Sequence, residues 1–420
     1  MLENDAIRRT PGNTEWFTHD RFGMFIHWGL YAMPARHEWV KTNEKISEEK
    51  YDKYFKYFNP DLYDPREWAR CAREAGMKYV VLTARHHEGF CLFDTQYTDY
   101  SVMHTPYGKD LVREFVDAFR AEGLHIGFYY SLLDWHHPDY TADRYHPRRD
   151  EEDLGKFNER RNMKKYAEFL RNQVTELLTN YGKIDIMWFD FSFPDEYRGM
   201  KGKGKDDWES EKLIATVRQL QPDIIIDNRA DIEQDLWTPE QVQPTEWVRD
   251  NDGNRVVWEV CQTFSGSWGY HRDEQTWKSP ELLIRMLINT VSCGGNLLLN
   301  VGPTSRGYFD SRAVKSLGEI GKWMKYNARS IYGCTQSEYE APSDVRYTQN
   351  GHRLYAHVFA YPFRDLVLKG FADKIDYAQF LHDGSEILYD VDEKKNAVTF
   401  HLPVVKPDVA VPVIEIMLKP

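Results

Sequence analysis

The sequence is defined first by what it lacks. None of its stretches contains eighteen consecutive apolar residues, so nothing in it reads as a membrane-spanning helix. The opening segment MLENDAIRRTPGNTEWF has no apolar core of the secretory kind. The five cysteines, Cys71, Cys91, Cys261, Cys293 and Cys334, are odd in number, scattered, and free of any C-x-x-C pair or zinc-type spacing. They read as buried thiols of a reducing compartment, and the expectation is a cytoplasmic protein. No G-x-G-x-x-G or G-K-[ST] loop offers a phosphate cradle, which speaks against nucleotide binding. No G-x-S-x-G elbow is present, and no cysteine stands beside a base in the sequence, so nucleophilic catalysis by serine or cysteine is not indicated. A net charge of −12, with both signs mixed along the chain, argues against a nucleic acid as partner.

What is present is a series of short apolar runs separated by helical patterns. The runs are FGMFIHWG (22–29), KYVVLTARHHEGF (78–90), HIGFYYSLLDW (125–135), IDIMWFDF (184–191), DIIIDNR (223–229), VVWEVCQT (256–263) and NLLLNVGP (296–303). Strands apolar on both faces belong in a parallel sheet covered by helices. Helices are predicted from Asp64 to Gly76, with Asp64 as cap and Gly76 as stop, from Asp110 to Gly123 and from about Asn158 to Tyr181. Further helices are predicted over 208–220, 280–293 and 310–329. At 420 residues the chain has room for a large domain and a smaller one. This many strand-then-helix units predict an α/β fold, a (β/α)₈-like barrel over residues 1–335. From 336 to 420 the pattern turns to short alternating strands, an antiparallel β-sandwich domain whose plain role is packing.

The segment IDIMWFDF stands out because it delivers one carboxylate, Asp190, to the end of an apolar strand. Burying an ionised carboxylate costs several kcal/mol, roughly, unless it is paired or used. In a barrel the carboxyl ends of the strands meet around one mouth. Other polar residues predicted there are His27, Glu38, Trp39, His86, His87, Glu88, Tyr130, Trp188, Arg229, Glu246, Glu259 and Trp268. By strict alternation only one of His86 and His87 faces inward. The first strand has a lone His27 where a metallohydrolase would carry H-x-H, so no metal and no cofactor are expected. Aromatics make up 15% of the residues, and tryptophans beside histidines and acids suit recognition of a sugar ring. The chemistry that fits is glycoside hydrolysis by two carboxylates. Asp190 is one, while Glu38, Glu88, Glu246 and Glu259 compete to be the other.

The motifs FGMFIHWG, LTARHHEGF, FYYSLLDW, DIMWFD, WEVCQT, SWGY and GGNLLLNVGP, in this order, resemble those of the α-L-fucosidases of glycoside hydrolase family 29. The resemblance implies a barrel with a C-terminal β-sandwich, and retaining, metal-independent removal of terminal α-L-fucose from a glycan or small fucoside. It implies Asp190 as nucleophile, and His27, Glu38, Trp39, His86, His87, Tyr130, Trp188, Arg229 and Trp268 as the sugar pocket, with Trp268 near the sugar's methyl group. For the acid/base it favours Glu246 of PTEWV over Glu259 of WEVC. Phe191 departs from the pattern, since many relatives have glycine after the nucleophile. The alternatives are a related exo-glycosidase acting on α-L-galactosides and a non-catalytic carbohydrate-binding protein on the same fold. A homo-oligomer is compatible with the sequence, and no membrane partner is expected.

Overall fold

A computed structural model describes residues 6–420. The apolar runs become seven strands: β1 (Phe22–Ile26), β2 (Tyr79–Arg85), β3 (His125–Ser131), β4 (Ile186–Asp190), β5 (Ile225–Ile226), β6 (Glu259–Thr263) and β7 (Asn296–Val301). All their residues are buried except His125, which is half-buried at the start of β3. They form one parallel sheet in the order β5-β4-β3-β2-β1-β7-β6. Its two edges are β5 and β6, and the segment from Leu236 to Glu240 lies between them. Asp227 bridges Leu236, Trp237 bridges Trp258 and Glu240 bridges Cys261, all in the parallel sense. That segment completes the barrel without forming a regular strand.

Helices cover the outside, and their starts follow the capping rules. Asp64 accepts from the backbone of Arg66 and Glu67 at the head of Pro65–Glu74. Asp110, Asn162, Ser279 and Asp310 cap Leu111–Ala121, Met163–Asn180, Pro280–Ser292 and Ser311–Asn327 in the same way. Ser210–Leu220 follows β4. A helix absent from the sequence reading, Glu48–Tyr57, stands in the long connection after β1. Among the described residues no helix is long and apolar enough to cross a membrane.

Alternation along the strands divides the core. Phe25, Val81, Tyr129, Ile186, Trp188, Cys261 and Leu298 fill the barrel interior together with Leu236 from the closing segment. Met24, Val80, Leu82, Phe128, Met187 and Phe189 face the helices. Beyond residue 334 the chain forms a five-stranded antiparallel sheet and a three-stranded one. The larger comprises Thr335–Gln336, Val345–Asn350, Arg353–Val358, Ile375–Phe380 and Val413–Leu418, and the smaller Asp365–Lys369, Tyr389–Asp392 and Ala397–His401. Side chains of both sheets, among them Leu354, Ile416, Leu368 and Phe400, share one apolar cluster, as in a sandwich.

Candidate active site

On β4, Ile186, Trp188 and Asp190 share the inner face of the barrel, and Asp190 ends the strand at the mouth. The register pairs Tyr129 of β3 with Trp188, which sends the Tyr129 ring inward as well. Its hydroxyl donates to Asp190 Oδ2 at 2.7 Å. Arg229, just beyond β5, donates from Nη1 to Asp190 Oδ1 at 2.8 Å. Burial raises the Asp190 carboxyl above the ordinary carboxylate range; the Arg229 cation opposes that, the charge of Glu240 adds to it, and the Tyr129 hydrogen bond opposes it. Both oxygens of the acid are therefore held, and the carboxylate sits at the floor of a concave site.

Aromatic rings and histidines form the walls of that cavity. His27, His86, His87, Trp39, Trp188 and Trp268 all line it with Asp190 and Arg229. Burial lowers the pKa of His27 to about 3 and those of His86 and His87 well below the usual imidazole value, so all three are neutral. His27 Nδ1 faces Asn300 Oδ1 at 2.6 Å, an acceptor, so the proton belongs on Nδ1 and Nε2 is left to accept. Ser131 Oγ donates to the Leu133 carbonyl and so accepts from His87 Nδ1 at 2.6 Å. By the same reasoning His87 Nε2, 3.9 Å from Asp190 Oδ2, is an acceptor. Neutral imidazoles, carboxylates and flat indoles in one small cavity are the partners a sugar's hydroxyls and apolar faces require. Among the described residues no group of three or more His, Cys, Asp or Glu is arranged to hold a metal ion.

A second carboxylate completes the site. Glu240, at the end of the segment that closes the barrel, also lines the cavity. Its Oε2 lies 2.8 Å from the same Arg229 Nη1 that holds Asp190. The two carboxylate oxygens can be no further apart than these two contacts laid end to end. That bound on the nearest oxygens is compatible with the roughly 5–5.5 Å between carboxyl groups in retaining glycosidases.

A sequence model of the α-L-fucosidase family matches residues 3–329. The chain belongs to the α-L-fucosidase family. The structure is similar to that of α-L-fucosidase isoenzyme 1 from Paenibacillus thiaminolyticus, with a TM-score of 0.91 and 44% identity over 97% of this chain and 99% of that one. It is also similar to a family 29 α-L-fucosidase from Bacteroides thetaiotaomicron trapped as a covalent intermediate with 2-fluoro-fucosyl fluoride. There the TM-score is 0.84 and the identity 28%, with all of both chains covered. Human plasma α-L-fucosidase is 30% identical over 350 residues, 76% of this chain and 68% of that protein.

Several positions in this fucosidase differ from the sequence expectation. Tyr130 is not at the mouth. It pairs with Phe189 on the outer face, donates to Gln173 Oε1 at 2.7 Å and carries the Arg85 guanidinium over its ring; the inward tyrosine is Tyr129. His86 and His87 both face the cavity, because β2 ends at Arg85 and strict alternation ends with it. Glu38 lies under the site rather than in it. Its Oε2 accepts from Ser267 Oγ and from the backbone N–H groups of Trp268 and Gly269, fixing the loop that presents Trp268.

Neither expected acid/base lines the cavity. After Glu240 the chain descends the outside of the barrel. The Pro244 carbonyl accepts from Cys293 Sγ, and the Trp247 ring fills the space beside Gly294, just before β7 begins. Glu246 is consequently exposed near the amino ends of the strands. Glu259 opens β6 at that same end, fully buried, where it is hydrogen-bonded to the Tyr79 hydroxyl. Glu88 is buried too, accepting from the Leu30 N–H and the Tyr51 hydroxyl. Glu240 was missed because LWTPE carries no strand pattern; Pro239 lacks an N–H and interrupts any ladder. The available signal was the missing eighth strand between DIIIDNR and VVWEVCQT.

Phe191 has a backbone φ of 84°, the left-handed region that glycine occupies freely and a bulky residue does not. The ring packs against Trp39, His87, Tyr145 and Phe193. Ring contacts from the connections after β1, β2 and β3, and from Phe193 on its own loop, hold it there beside Asp190.

Proposed function

We propose that Asp190 and Glu240 are the carboxylate pair with which this retaining α-L-fucosidase cleaves terminal α-L-fucose from its substrate. The observation that carries the pairing is the shared Arg229 Nη1, which bonds both acids across the cavity. In the first step one Asp190 oxygen attacks the anomeric carbon, the glycosidic C–O bond breaks, and Glu240 gives its proton to the departing oxygen. In the second, Glu240 takes a proton from water, which attacks the same carbon and releases Asp190. Tyr129 and Arg229 hold Asp190 as an anion aimed into the cavity, so little reorganisation is needed at the moment of attack. The acceptor nitrogens of His27 and His87 would take hydrogen bonds from sugar hydroxyls. The indole of Trp268 offers the apolar wall that suits a 6-deoxy sugar over its 6-hydroxyl counterpart.

Hydrolysis of an aryl α-L-fucoside in the presence of a chelator, followed by proton NMR, tests the proposal. The α-anomer of fucose is expected to form first. No hydrolysis, first formation of the β-anomer, or loss of activity on chelation would each contradict it.

A further inference from the structure

The Trp188 indole touches both residues that grip the nucleophile. Its ring is stacked with Tyr129 at 5.7 Å between centroids, and the Arg229 guanidinium lies 4.5 Å over its face. Tyr129 holds Asp190 Oδ2 and Arg229 holds Oδ1, so any rotation of this one ring moves both hydrogen bonds. The indole is itself tied at its lower edge: Trp188 Nε1 donates to Glu259 Oε1, a long contact of 3.4 Å. Glu259 is fully buried on β6, and its other oxygen shares a hydrogen bond with the Tyr79 hydroxyl, which in turn accepts from Asn296 Nδ2. A glutamate in the barrel interior is costly unless it does something an apolar side chain would not.

We propose that Glu259 is a positioning residue for the nucleophile, setting through Trp188 how Tyr129 and Arg229 hold Asp190. The inference rests on Asp190 being the nucleophile and adds a residue that touches neither substrate nor reacting atoms. Around Glu259 stand Tyr79 from β2, Trp188 from β4, the neutral Asn296 from β7, and Arg229 above. Arg21 reaches this end of the barrel through Asn296, and Asp20 lies within electrostatic reach of Tyr79. Burial pushes the Glu259 carboxyl up to about 8, with Tyr79, Trp188 and Arg229 opposing the rise. At neutral pH the group is therefore largely the uncharged acid. As pH rises through that value an anion forms beneath Trp188, where it draws on Arg229 and loosens the grip on Asp190.

The experiment compares Glu259→Gln and Glu259→Leu with the parent enzyme. The substrate is α-L-fucosyl fluoride, whose leaving group needs no general acid, so that Glu240's proton drops out of the first step. The parent is expected to lose kcat/KM as pH rises through about 8. Glu259→Gln, uncharged and nearly isosteric with the neutral acid, is expected to stay within about twofold of the parent plateau and to keep it to higher pH. Glu259→Leu is expected to lose at least about tenfold in kcat/KM while its affinity for L-fucose changes less than about threefold. An alkaline limb unchanged in Glu259→Gln would overturn the proposal, as would equal losses of fucose affinity and kcat/KM in Glu259→Leu. If the leucine variant does not fold, the pH profile of the glutamine variant decides alone. An inactive Asp190→Ala variant checks the nucleophile separately.

Discussion

The Tyr129 hydroxyl reaches Asp190 Oδ2 at 2.7 Å across the parallel pair of β3 and β4, while the adjacent Tyr130 points to the opposite side of the sheet. One tyrosine serves the site and its neighbour serves the helical layer, where it bonds Gln173.

Tyr129→Phe removes a hydrogen bond to a charged acceptor, worth about 1.5–3 kcal/mol. The expected loss in kcat/KM is roughly one to two powers of ten. Tyr130→Phe instead removes the donor to Gln173 Oε1, while Gln173 Nε2 keeps Cys91 and Thr95; thermal denaturation should show a loss of about 1 kcal/mol, with activity per folded molecule unchanged. Equal activity losses in the two variants would contradict the placement of the rings.

The acid limb of the pH profile reports Asp190, which must be ionised to attack. Its carboxyl is raised by burial, held down by the Arg229 cation and pushed up by the Glu240 charge. Activity is therefore lost as pH falls through a value above the ordinary carboxylate range. Arg229→Gln removes the cation, so the limb of the residual activity should move to higher pH. In Glu240→Gln the side chain is neutral, as the proton-bearing acid is in the first step, so its limb, read on an aryl fucoside with a good leaving group, should stay with that of the parent. A limb that stays in place in Arg229→Gln, or one that moves as far in Glu240→Gln, would contradict this electrostatic account.

The loop that follows Asp190 is tied down by a buried ion pair. Lys203 Nζ lies 2.5 Å from Asp143 Oδ2 and also donates to the Thr141 carbonyl. Both side chains are at most 5% exposed. Lys203→Met strands the Asp143 carboxylate, and breaking a buried pair in this way costs about 3–5 kcal/mol. A fall in denaturation midpoint is expected. A change below about 1 kcal/mol would show that the pair does not hold the loop.

Seven strands were legible because continuous apolar runs have no other stable use in a parallel sheet. Asp190 was legible for the complementary reason, as a charge where apolar residues belong. The closing segment was not, since Leu236–Glu240 makes single bridges rather than a ladder, and Glu240 was lost with it. Tyr129 was missed because two adjacent tyrosines on one strand look alike until the register shows which of them shares the face of Trp188 and Asp190. The departure at Phe191 was visible in the sequence only through the resemblance, which implies glycine at this place in many relatives. Only its φ of 84° shows what the glycine is for, and only the ring contacts from Trp39 and Tyr145 show what holds a phenylalanine in its place.

Glu240 lines the cavity and Glu246, the acid/base favoured from the sequence, does not. Glu246→Ala should leave kcat/KM within about twofold, as expected of an exposed residue whose loss changes stability by about 0.5 kcal/mol or less. Glu240→Ala should be slow on fucosides with poor leaving groups and should recover with azide, because azide needs no general base.

The most direct measurement is the anomeric configuration of the fucosyl azide that Glu240→Ala makes from an activated aryl α-L-fucoside. α-Fucosyl azide is expected, formed when azide replaces water in attacking the fucosyl-Asp190 intermediate. A β-fucosyl azide, or rescue by azide in Glu246→Ala and not in Glu240→Ala, would contradict the pairing of Asp190 with Glu240.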